Sequence, residues 1–163
     1  MAVKRKIKEY RRRLYEFLGS DRYSRPALND IDHKLEKYLS YRDGFFIEAG
    51  ANDGFTQSNT YYFENLRGWE GILIEPIPQL YEKCVRERRR SIVFNCALVP
   101  SDYGGQSITM LYSNLMSLVR SARGSEFRDI EHVRRGIETQ RDVEDTYEIR
   151  VPARTLTSIL EEV

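Results

Sequence analysis

The residues best suited to chemistry are two acids separated by a glycine-spaced loop. Glu48 lies in the short apolar run Phe45-Phe46-Ile47-Glu48-Ala49, and Glu75 ends a second run, Gly71-Ile72-Leu73-Ile74. Gly50 and Gly54 bracket a turn containing Ala51, Asn52 and Asp53, and Thr56, Ser58, Asn59 and Thr60 cluster where a helix N-cap belongs. This reads as strand, glycine loop, helix, strand. In a parallel sheet the loops leaving the strands' carboxyl ends form the ligand crevice, so Glu48, the loop and Glu75 are expected to face one ligand. Glycines let a ligand approach the backbone, and a helix N-terminus offers free N–H groups. Glu75 follows Gly54 by 21 residues, close to the roughly 20 expected of an acid that accepts the two hydroxyls of a ribose. A nucleoside-bearing cofactor is one reading. A strand–helix–strand unit whose glycines only make a turn is the other.

A dinucleotide fingerprint needs glycine at three fixed places, and here those places hold Gly50, Asn52 and Phe55. A dehydrogenase is therefore a distant third reading. The spacing instead fits Glu-x-Gly-x-Gly-x-Gly with Asn52 at the middle position, and Asn tolerates the left-handed conformation. Phe46-Ile-Glu-Ala-Gly-Ala-Asn-Asp-Gly54, Ser58-Asn59-Thr60, Gly68-Trp69, Gly71-Ile-Leu-Ile-Glu-Pro76 and Asn95-Cys96-Ala97-Leu98 together resemble the FkbM family of methyltransferases, over about Leu28 to Leu160. The resemblance implies a Rossmann-like α/β fold, a parallel sheet flanked by helices, and methyl transfer from S-adenosylmethionine to an oxygen of a sugar or related small acceptor. It also implies that Glu48 and the Gly50–Gly54 loop hold the methionine end of the cofactor, with Ser58, Thr60 and Pro76 among its contacts. Glu75 would take the ribose, and Asn95 to Ala97 would border the adenine. No metal is implied. The sulfonium is already activated, so catalysis is mainly positioning of the acceptor, with a proton acceptor in reach. Asp53 is a candidate for that role, or else makes an Asx-type turn.

These residues need elements to hold them. The chain has 163 residues, with 26 Lys and Arg against 25 acids, so bulk charge offers no case for nucleic acid. No apolar run approaches the ~20 residues of a membrane span, and no apolar stretch follows the basic start as a leader would require. A cytoplasmic location is expected. Cys84 and Cys96 lack zinc spacing and read as buried thiols, with a disulfide left open.

Residues 1–27 read as a basic amphipathic helix and linker, and 28–163 as a partial cofactor-binding domain. In the first helix, Ile7, Tyr10, Leu14, Phe17 and Leu18 share one stripe among seven Lys and Arg, with Gly19 as the stop. Contact with an anionic membrane surface or with nucleic acid is one alternative for residues 1–18. The favoured one is docking by the apolar stripe onto the domain or a second subunit. A second helix carries Leu28, Ile31, Leu35, Tyr38 and Leu39, with His33 solvated. Crossover helices follow over Thr60–Leu66 and Pro78–Arg88, the latter presenting Leu80, Cys84 and Val85 to the sheet and leaving Arg86, Arg88, Arg89 and Arg90 as a solvated basic end. Ser91–Leu98 is the third strand.

Beyond Pro100, Ile108, Met110 and Tyr112 alternate, as do Tyr147, Ile149 and Val151, predicting an added antiparallel hairpin. Residues 120–145 hold 13 charged side chains in 26 positions. They read as a solvated helix or a lid, with Ser113, Asn114 and Ser117 at its entrance and His132 as a weak candidate base. Thr155 caps a last helix whose Leu156, Ile159, Leu160 and Val163 share a face. The fourth parallel strand that the family implies, with an Asp-Val-Glu-Gly-like motif, is not in the sequence. The chain is therefore expected to be a fragment or to be completed by another chain, leaving Phe45–Ala49 as an open edge through which it could form a homo-oligomer. The alternative function is a non-catalytic remnant of the fold that serves as an interaction module.

Overall fold

The computed structural model describes residues 2–139 and 146–163. Helix α1 (Ala2–Phe17) precedes a 3-10 turn at Leu28–Asp30 and α2 (Ile31–Glu36). Then come β1 (Phe45–Ala49), α3 (Tyr61–Arg67), β2 (Glu70–Ile74), α4 (Pro78–Glu87) and β3 (Ile92–Phe94). The three strands form a parallel sheet in the order β1-β2-β3, with Phe46 opposite Gly71 and Ile72 opposite Ile92. Among the described residues β1 pairs with β2 alone, so the apolar edge expected at Phe45–Ala49 is there.

β2 is the buried centre: Ile72, Leu73 and Ile74 are almost wholly enclosed, each worth roughly 1.5–3 kcal/mol of burial. Strand alternation sends them to opposite faces. Leu73 joins Phe46, Tyr62, Phe63, Trp69 and Cys84, with Leu35 and Leu39 of the α2 region packed on. Ile72 and Ile74 join Cys96 and Ile159 on the other side. Both cysteines are free and buried.

The third strand is not continuous. Asn95 and Cys96 interrupt it, and a short β4 (Ala97–Leu98) pairs with a different sheet. That sheet has the order β4-β7-β5-β6, built with β5 (Ser107–Tyr112), β6 (Leu118–Val119) and β7 (Tyr147–Arg154). The predicted antiparallel pairing is realised in register, with Ile108 opposite Val151, Met110 opposite Ile149 and Tyr112 opposite Tyr147. It is more than a hairpin, because β6 flanks β5 and β7 also pairs parallel with β4.

The charged segment forms α5 (Glu126–Thr139) up to the end of the described residues; the rest of it, 140–145, lies outside them. α5 docks through buried Val133, whose carbonyl accepts from the Ser113 hydroxyl. Buried Asp129 receives the amides of Ser121 and Arg123. In the last helix, α6 (Leu156–Leu160), Thr155 caps the Ser158 amide as predicted, but only Ile159 of the apolar four is buried, because five residues complete little more than one turn.

Two other readings change. Val85 is exposed, being one helical step (about 100°) from buried Cys84. The apolar stripe of α1 points outward, and the helix docks through its charged face instead.

Candidate active site

The loop after β1 is set by backbone geometry. Gly50, Asn52 and Gly54 all have positive φ, of 74°, 51° and 82°, the conformation that Gly adopts freely and Asn tolerates. The Gly50 and Ala51 amides both reach the Ile74 carbonyl, at 2.9 and 3.1 Å, which ties the loop to the end of β2. A side chain at Gly50 would meet open space, whereas at Gly54 it would strike Arg88 and Cys84. Gly50 is therefore where a ligand could come against the backbone, and Gly54 is a packing requirement.

Glu75 is buried at the end of β2, where its carboxylate accepts the Asn52 amide at 2.7 Å and the Ile77 amide at 2.9 Å. Burial raises its pKa; the two amides pull it down and the Asp53 charge adds to the rise. Two amides use two of about four lone-pair positions on a carboxylate, so the oxygens retain capacity for hydroxyl donors. Asn95 braces the same corner by donating to the carbonyls of Glu75 and Pro76, at 2.8 and 3.0 Å. Asn52 donates to Asn114 at 3.0 Å, which brings the turn after β5 onto the glycine loop. Tyr112 and Tyr147 stack at 4.7 Å on that side, and burial raises the Tyr112 pKa, with the Tyr147 and Glu75 charges adding to it.

Several other expected residues are engaged by the chain itself. Glu48 accepts the Ser58 hydroxyl at 2.9 Å, the Asn59 amide at 2.9 Å and the Thr60 hydroxyl, with the Arg88 guanidinium 3.6 Å away. The chain's own donors thus engage its carboxylate, and it braces the loop onto the start of α3. Ser58 is buried in the same network and also accepts the Tyr61 amide. Asp53 makes the Asx-type turn, accepting the amides of Phe55 and Thr56 and the Thr56 hydroxyl. Ala51 packs into the core under the loop, and Ala97 packs with Met110 and Val151 in the second sheet. His132 sits on α5, 3.3 Å from Arg123, in a hollow of about 430 Å³ lined by Arg123, Arg128, Glu131 and Arg135 and by no residue of the glycine loop.

Arg88 is the largest correction. Its side chain is fully enclosed rather than solvated, donating to Glu64 at 2.8 Å, to the Gly54 carbonyl at 3.2 Å, and to the hydroxyls of Ser58 and Thr60 at 3.0 and 2.8 Å. The signal was in the sequence: Leu80, Cys84 and Arg88 recur every fourth residue, so Arg88 continues the buried stripe of α4. Three neighbouring arginines, Arg86, Arg89 and Arg90, hid it.

Fold and site together define an α/β protein with a glycine loop and a strand-end acid at the carboxyl edge of a parallel sheet. The Methyltransferase FkbM domain family model matches residues 48–163. The chain belongs to that family. No curated protein and no solved structure matches it.

Proposed function

We propose that this chain binds S-adenosylmethionine and transfers its methyl group to a hydroxyl of a small, sugar-like acceptor. The observation that carries the reading is Glu75: a buried acid at the end of β2, oriented by the loop amide of Asn52, with lone pairs left for a ribose diol. When bound, the cofactor supplies a methyl group on an activated sulfonium. The protein's part is to bind, orient and exclude water. Glu75 accepts the sugar hydroxyls. Gly50 leaves its surroundings open for the ligand. Asn95 fixes the Glu75–Pro76 corner that would meet the adenine side. Glu48, Ser58, Thr60 and Arg88 act as positioning residues that hold the loop. Asn52 and Asn114 bring the turn after β5 against it, which suits Asn114 to the acceptor side.

Calorimetric titration of the purified chain with S-adenosylhomocysteine tests this. Binding with one site per chain, lost in Glu75→Ala, is the expected result. No binding to the wild-type chain at high micromolar ligand would overturn the reading and leave an interaction module of the same fold.

A further inference from the structure

Helix α1 presents its apolar stripe to solvent. Its inner face is polar: Arg12, 5% exposed, donates to Glu87 at 2.6 Å and lies 3.8 Å over the Phe55 ring. Arg13 reaches Glu87 at 3.2 Å, while Glu16 accepts the hydroxyls of Ser24 and Tyr61. The outer face carries Ile7, Tyr10, Leu14 and Phe17, all exposed, Tyr10 at 75% and Phe17 at 86%. At 3.6 residues per turn, Lys4 and Arg11 fall on one edge of that stripe and Lys6 on the other, and all three are exposed. Neither acid of the helix lies on the stripe: Glu16 faces inward, and Glu9, exposed and paired with Arg13, falls about 80° round the helix from Phe17.

We infer that α1 lies in the interfacial plane of an anionic membrane, apolar stripe towards the acyl boundary and cationic edges on the headgroups. A sharp division between apolar and polar faces, basic edges and low overall hydrophobicity define such helices. No described helix is long and apolar enough to cross a membrane. Charge selects the occupant. Residues 1–17 hold seven cations and two acids, so residues 18–163 hold 26 less seven cations and 25 less two acids. The helix is thus the positive pole of a chain whose remainder is net acidic, and an anionic surface attracts that pole while repelling the rest. Two copies of the stripe placed face to face would bring cationic edge against cationic edge. The docking also carries the glycine loop with it, since the cleft beneath α1 opens on Asp53 and Thr56.

Sedimentation of the full chain with sucrose-loaded vesicles tests this. Phosphatidylcholine vesicles are compared with phosphatidylcholine containing a minority of phosphatidylserine. The expected result is binding to the mixed vesicles only, weakened by added salt. Lys4→Glu/Lys6→Glu should weaken it by at least about 25-fold, at about five-fold for each basic residue removed. Leu14→Asp should abolish it. These side chains are exposed, so unchanged circular dichroism and melting will verify the fold of each variant. Lack of binding to mixed vesicles, equal binding to neutral ones, or retention by Leu14→Asp would each overturn the inference. A self-association in solution that Leu14→Asp abolishes would overturn it in favour of a second copy.

Discussion

Replacing Arg88 by Met tests whether the glycine loop is held by one buried cation. The substitution roughly conserves volume and removes only the charge and its donors. Arg88 has no exposed side-chain surface, and its partner Glu64 has 2%. Its loss would leave the buried Glu64 charge with no cation, only the Arg90 amide and the Ser91 hydroxyl, and the Gly54 carbonyl and the Ser58 and Thr60 hydroxyls without their guanidinium donor. Removing one partner of a buried pair costs about 3–5 kcal/mol, because the remaining charge stays desolvated. For a chain of this size each kcal/mol lowers the melting temperature by roughly 2–4 °C, giving a fall of roughly 6–20 °C. Arg88→Met/Glu64→Gln removes the uncompensated charge and should recover about half of the loss, since the contacts to Gly54, Ser58 and Thr60 stay broken. Arg88→Lys should rescue little, because an ammonium cannot span the same acceptors as the planar fork. Thermal melts by circular dichroism measure all three variants. A fall of under about 3 °C for Arg88→Met, or no recovery in the double variant, would refute the reasoning.

Glu36 supplies an acid-sensitive contact. Burial raises its pKa, but the Tyr62 hydroxyl, Arg25 and Arg67 outweigh this and hold it at about 2 against an ordinary 4.5. The unfolded chain therefore binds this proton more tightly, and the contribution, reduced by solvent screening at this partly open cluster, is complete above pH 4.5 and lost as the pH falls towards 2. Urea midpoints measured across that range should fall less steeply in Glu36→Gln. Because burial raises the Glu75 pKa, and only the ionised carboxylate has all its oxygen lone pairs free to accept, S-adenosylhomocysteine affinity should decline on acidification at a higher pH than an ordinary glutamate would give. Calorimetry in a pH series reads this. Burial pushes the Cys84 thiol up to about 12, with the Arg88 charge opposing. Thiol reagents near neutral pH should therefore modify Cys84 only after denaturation, which mass analysis of the labelled chain would check. Thr155→Ala should cost about 1 kcal/mol through loss of the cap on the Ser158 amide, read as a lower urea midpoint.

Local patterns determined much of the outcome. Phe45–Ala49 and the run ending at Ile74 are strands because short apolar stretches of strand formers are punctuated by glycine and polar turns. The left-handed Asn52 between two glycines followed from the steric freedom of those residue types. Alternation along Ile108–Tyr112 and Tyr147–Val151 was sufficient to pair the strands. These features depend on neighbours within a few residues, so the sequence carries them. The partners of long charged side chains were settled only in three dimensions. Arg88 and Arg90 differ little as sequence, yet one is enclosed by groups more than twenty residues away while the other remains at the surface. Glu48 and Glu75 both end up at the carboxyl edge of the sheet, but Glu48 meets the donors that start α3 and Glu75 meets the loop amides. The orientation of α1 was decided in the same way: its stripe fixed that one side is apolar, and the ion pair of Arg12 with Glu87, brought from 75 positions away, decided that this side faces outward. A periodicity specifies a face; which surface that face meets depends on charges that only the folded chain brings together.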